Sequence, residues 1–104
     1  MTTAHISQQG RVHTVAVYGH SMFEASGKDV VCAGISSIVN AFWNTICELN
    51  DKNEVMTTFE EIDEGEVRLE YVGDAGTAEL MLLEGLRLLE SQFPRNLKVF
   101  YSKE

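Results

Sequence analysis

Proline occurs once in these 104 residues, tryptophan once and cysteine twice. So little proline excludes a proline-rich linker, and a hydrophobic content of 44% belongs to a chain that buries a core. Basic side chains are also scarce. Eight Lys plus Arg stand against sixteen Asp plus Glu, a formal charge of −8. That deficit argues against direct nucleic-acid binding, which needs cations to displace phosphate counterions. It suits a basic peptide or protein partner. No apolar run is expected to reach the ~20 residues of a membrane span. The opening MTTAHISQQG has neither the basic nor the apolar region of a secretory signal. The expectation is one domain over residues 1–104, cytoplasmic, with no membrane contact.

The cysteine count narrows the chemistry further. Cys32 and Cys47 fall in one predicted helix, where their separation rises about 22 Å. A disulfide needs Cα atoms within ~7 Å, so they do not pair within the chain. No Cys/His cluster supplies four zinc ligands, so neither metal nor cofactor is expected.

What is present is a change of period along the chain. AHIS, QQGR and VHTVAVYG read as a hairpin turning at Gly10, with β-branched residues dense over 12–17. The strand stops at Gly19, and 19–28 reads as a loop. From Asp29 the apolar residues Val31, Ile35, Ile38, Phe42, Ile46 and Leu49 mark one helical face to about Asn50. Ser26 or Gly27 suits the N-cap, and Asp29 suits the positive end of the dipole. EVMTTFEEI and EVRLEYVG form a second hairpin around DEG, with Val67, Leu69 and Tyr71 on one face. Leu82, Leu86, Leu89 and Phe93 mark a second helix closed by Pro94, and LKVFYS is a last strand. The order ββαββαβ implies an α+β fold: a mixed, mainly antiparallel five-stranded sheet with two helices packed on it. FEEIDEGE reads as a solvated strand edge and turn. Trp43 and the leucine stripe read as core, and His5 and His13 as strand residues with no partner in view.

The stretch GHSMFEASGKDVVC, residues 19–32, carries the candidate chemistry. Cys32 belongs to the first turn of the long helix, where unpaired N–H groups and the dipole favour the nucleophilic thiolate. It lies about 100° off the main apolar stripe, beside Ser36, Val39 and Trp43, so it reaches the rim of the buried face. Cys47 lies deep in the helix and reads as packing. His20 follows the strand's stop at Gly19, and a strand end that faces this helix start is where a base can approach the thiol. Gly19 and Gly27 are pivots for a loop closing on substrate. Asp29 either caps the helix or orients His20, and Ser36 either packs or donates a hydrogen bond. The residues alone leave a second reading open. An unreactive buried cysteine and a surface histidine would make the loop a non-catalytic peptide groove.

The spacing Gly-His, six residues, Gly-Lys-Asp, two residues, Cys-Ala, with Ser36 four after the cysteine, resembles the signature of Prp, the ribosomal-processing cysteine protease family. The resemblance implies a cytoplasmic homodimer that removes the N-terminal extension of a large-subunit ribosomal protein, without metal or cofactor. It implies Cys32 as nucleophile, His20 as general base and Asp29 and Ser36 as assisting residues. Gly19, Ser21, Met22, Phe23 and Gly27 fall in the family's substrate loop. Ser21 stands where many relatives carry alanine, and Ser26 where many carry tyrosine. Both departures touch the loop and leave the dyad intact.

Overall fold

The structure is a computed structural model that describes residues 1–19, 29–63 and 66–104, with the Asp29 side chain outside that description. Its elements are β1 (Thr2–Gln9), β2 (Val12–Tyr18), α1 (Asp29–Asp51), β3 (Val55–Asp63), β4 (Glu66–Gly73), α2 (Gly76–Gln92) and β5 (Leu97–Lys103). The order ββαββαβ is the one the periodicity implies. The sheet runs β3-β4-β2-β1-β5. Every pairing is antiparallel except that of β1 with β5, which is parallel, so the sheet is mixed and mainly antiparallel. Gln9 pairs with Val12, which makes Gly10–Arg11 the two-residue turn of the first hairpin. The expected DEG turn falls on Asp63 and on 64–65, the last two outside the described residues.

Period two places Ala4, Ile6, Val15, Val17, Leu69 and Tyr71 on the face under the helices, each at most 2% exposed. The α1 stripe meets them: Val31, Ile35, Phe42 and Ile46 are buried, and Ile38 and Leu49 pack at the edge. From α2 come Leu82, Leu83 and Leu86. Burying each such side chain is worth roughly 1.5–3 kcal/mol, so the two stripes supply most of what holds the layers together. Val30–Asp51 is long and apolar enough to span a bilayer by length and composition, contrary to the expectation that every apolar run is too short. Here its apolar stripe is spent on the sheet.

The helices approach closely because each carries a glycine at the contact. A Cβ at Gly34 would stand 3.2 Å from Leu89 Cδ1, and one at Gly85 3.3 Å from Ile38 Cδ1. These pairs make α1 and α2 antiparallel neighbours, with α1 over β3 and α2 over β5. Asn53 closes α1 in the left-handed conformation, φ 62°, as NDKN suggests. The C-cap of α2 is Phe93, whose N–H donates to the Leu89 carbonyl just before Pro94.

Two histidines read as partnerless have partners. His13 shares the inner face with Val15 and Val17. Its ring stacks on Tyr71 at 4.8 Å, and its Nδ1 lies 3.0 Å from Glu79 Oε2. The Tyr71 hydroxyl donates to the same carboxylate oxygen. Glu79 is 7% exposed, and a buried carboxylate is tolerated only when hydrogen-bonded. Burial first, then the Glu79 hydrogen bond and charge, hold the Tyr71 phenol far above its ordinary pKa, so it stays a donor. This network ties the first turns of α2 to β2 and β4. On the outer face, which neither helix covers, His5 stacks between Tyr18 and Phe100.

Candidate active site

Gly19 follows β2 with φ 72°, a backbone favoured by glycine, and a Cβ there would stand 3.1 Å from the Met1 carbonyl oxygen. The position marks where the chain leaves the sheet. His20, Ser21, Met22, Phe23 and Gly27, like the proposed caps Ser26 and Gly27, lie outside the described residues. The chain returns at Asp29, the first residue of α1, and Cys32 follows within the opening turn. The first N–H groups of a helix have no intrahelical acceptor, so that turn presents donors and a partial positive charge.

Cys32 is half-buried, as is Ser36 one turn later. With Trp43 and Cys47 they form one flank of α1, at spacings of four, seven and four residues. The flank carrying Gly34 and Ile38 faces α2, and the Cys32 flank faces the β3 side. Toward the end of that flank, Cys47 feels the charge of Glu60 in β3. Cys32 sits at the rim of the core at the opening of α1, off the side of the helix that meets α2. The β3–β4 hairpin is solvated at its edge, with Glu60, Glu61, Ile62 and Asp63 exposed, as FEEIDEGE suggests. Trp43 packs against the core at its margin.

Both cysteines are reduced. Desolvation, followed by the charges of Glu60 and Asp51, pushes the Cys47 thiol above its ordinary pKa. A thiol held protonated is a poor nucleophile, so Cys47 fits the packing role read from its position. Among the described residues no group of three or more His, Cys, Asp or Glu side chains is placed to hold a metal ion. The structure thus brings Cys32 and Ser36 to one flank and puts Gly19 at the strand end. The approach of His20 lies outside the described residues. The His13–Glu79–Tyr71 network is the polar cluster that sequence reasoning missed. The available signal was a histidine alternating with Val15 and Val17, and a glutamate three residues before Leu82, both on apolar faces.

Comparison with known proteins agrees with the motif. The family model for cysteine protease Prp matches residues 1–98. Among solved structures, the essential ribosomal processing protease Prp from S. aureus, in complex with a covalently linked product peptide, is 26% identical. It superposes with a TM-score of 0.75 over 97% of this chain and 99% of that one. The same S. aureus protease in complex with a substrate peptide gives 23% identity and a TM-score of 0.70, again over 97% of this chain and 99% of that one. SMU.848 from Streptococcus mutans is 18% identical, with a TM-score of 0.74 over 100% of this chain and 96% of that one, a likeness of fold. No curated protein matches the chain.

Proposed function

The chain belongs to the cysteine protease Prp family, and from that premise we propose that Cys32 is its nucleophile and His20 its general base. His20 takes the Cys32 proton, and the thiolate attacks a peptide carbonyl. The tetrahedral intermediate collapses, the leaving amine takes the proton back from the imidazolium, and an acyl-enzyme remains. Water, deprotonated by His20, hydrolyses the thioester. N–H groups of the opening turn of α1 are the donors for the oxyanion, since they point outward without helical partners. Asp29 orients His20, and Ser36 donates to the sulfur or to the substrate. Gly19, Ser21, Met22, Phe23 and Gly27 belong to the segment that closes over the peptide.

The observation that carries this reading is the position of Cys32, half-buried in the first turn of α1 on the flank away from α2. It is the cysteine of the Gly-His…Gly-Lys-Asp…Cys spacing, and the acidic surroundings of Cys47 suit no nucleophile. The substrate is the N-terminal extension of a large-subunit ribosomal protein, cut in the cytoplasm during ribosome assembly. The resemblance supports that choice, as does the likeness to a ribosomal processing protease holding a product peptide. The net charge of −8 suits a basic ribosomal segment and not nucleic acid. The active species is a homodimer, and the uncovered sheet face with exposed Tyr18 and Phe100 offers it a surface.

Cleavage of the extended precursor tests the assignment. Cys32→Ser and His20→Ala each lower kcat/KM by at least about 100-fold while the circular dichroism spectrum stays that of wild type. Retained cleavage in Cys32→Ser removes Cys32 from the mechanism.

A further inference from the structure

A cavity of about 470 Å³ opens at the other end of the sheet, between the β1–β2 turn, the end of β5 and the first turns of α2. Arg11, His13, Asp74, Glu79, Tyr101 and Lys103 are in its wall. Strand β2 separates His13 from Gly19 by about 20 Å, so the cavity is distinct from the peptide-cutting site. Its volume is in the range of small-ligand sites, roughly 300–1,000 Å³.

Its charges are unevenly satisfied. Glu79 accepts from Tyr71 and from His13. Asp74 Oδ1 accepts from the Gly76 N–H at 2.9 Å. Both acidic groups in the wall are therefore engaged by internal donors. Arg11 and Lys103 form no ion pair with any described residue. Two cations at one cavity, neither in an ion pair with a described residue, are a quarter of the eight basic residues in a chain of charge −8. Leu80 and Leu83 add an apolar wall. The His13–Glu79–Tyr71 network ties that part of α2 to the sheet.

We propose that this cavity binds a small molecule carrying a carboxylate or phosphate group, with Arg11 and Lys103 on the oxyanion and its apolar body against Leu80 and Leu83. The guanidinium fork suits two oxygens of one anion, and the ammonium adds a point charge. Glu79 Oε2 and Asp74 Oδ1 are held by internal N–H and O–H donors, which leaves Arg11 and Lys103 as the charged donors available to an incoming anion.

The experiment is an amide NMR titration of the full chain with phenyl phosphate, benzoate and inorganic phosphate at constant ionic strength. Phenyl phosphate or benzoate produces saturable shifts clustered at Gly10, Arg11, Gly76 and Lys103, and the tighter of the two identifies the anion. Inorganic phosphate, lacking the apolar body, saturates at higher concentration than phenyl phosphate. Arg11→Ala/Lys103→Ala raises the half-saturating concentration at least about tenfold. Both positions are exposed, so the variant keeps the wild-type shifts of Tyr71 and Glu79 and the wild-type rate of peptide cleavage. Shifts that stay linear, scatter over the surface or persist unchanged in the double variant overturn the proposal. Equal saturation by inorganic and phenyl phosphate overturns the role of the apolar wall.

Discussion

Cys32 and Cys47 occupy the same flank of α1 and are both half-buried. Around Cys47, burial first and then Glu60 and Asp51 raise the thiol pKa, and the helix is approaching its negative end. Cys32 stands at the positive end, in a turn whose N–H groups have no helical acceptors, where the chain arrives from the Gly-Lys-Asp segment. Residue type and flank are common to both, so neither distinguishes them. Place along the helix does, and at Cys47 so do desolvation and the charges of Glu60 and Asp51. The lesson extends to the two histidines. His13 is stacked on Tyr71 and bonded to a buried carboxylate, so its ring is committed to structure. His20 is the one that the motif associates with the thiol.

The comparison can be broken most sharply by exchanging which cysteine is removed. Against the loss of at least about 100-fold on replacing Cys32, Cys47→Ala leaves kcat/KM within about twofold of wild type. A comparable fall in both variants would dissolve the distinction. A smaller effect sharpens it. With iodoacetamide at pH 7, read site by site by peptide mass spectrometry, Cys32 alkylates at least about tenfold faster than Cys47. The sign for Cys47 comes from its raised pKa: it is protonated at neutral pH, and its thiolate fraction grows about tenfold per pH unit until the pH passes that raised value. Its rate therefore keeps climbing above about pH 8.5, where an unperturbed thiol begins to level off. Equal rates at pH 7 would contradict the contrast.

Local periodicity was enough for most of the fold. Val31 to Leu49 is one continuous stripe, and every member of it is buried or packed at the core edge. The alternation of Leu69 with Tyr71 reports the inner face of β4 in the same direct way. Long-range pairing was not legible. The parallel seating of β5 beside β1 depends on where α2 returns the chain. The register shift between Thr57 and Phe59 inserts one unpaired residue that no alternation announces. The His13–Glu79 bond joins residues 66 apart, and its trace was two polar side chains on apolar faces. The candidate site was legible because its motif is contiguous over residues 19–36, so no tertiary inference was needed to read it. The side of α1 that meets α2 was not legible, because it depends on contacts between Gly34 and Leu89 and between Gly85 and Ile38, residues far apart in the chain.

One sulfur, at the opening of α1, is the proposed nucleophile, and every other role proposed for the site depends on it. Acid quenching of wild-type enzyme during turnover of the extended precursor, with peptide mapping under mild acid, locates the thioester. An acyl adduct is predicted on the peptide containing Cys32 and none on the peptide containing Cys47. An adduct on Cys47, or undiminished turnover by Cys32→Ser, would contradict that assignment.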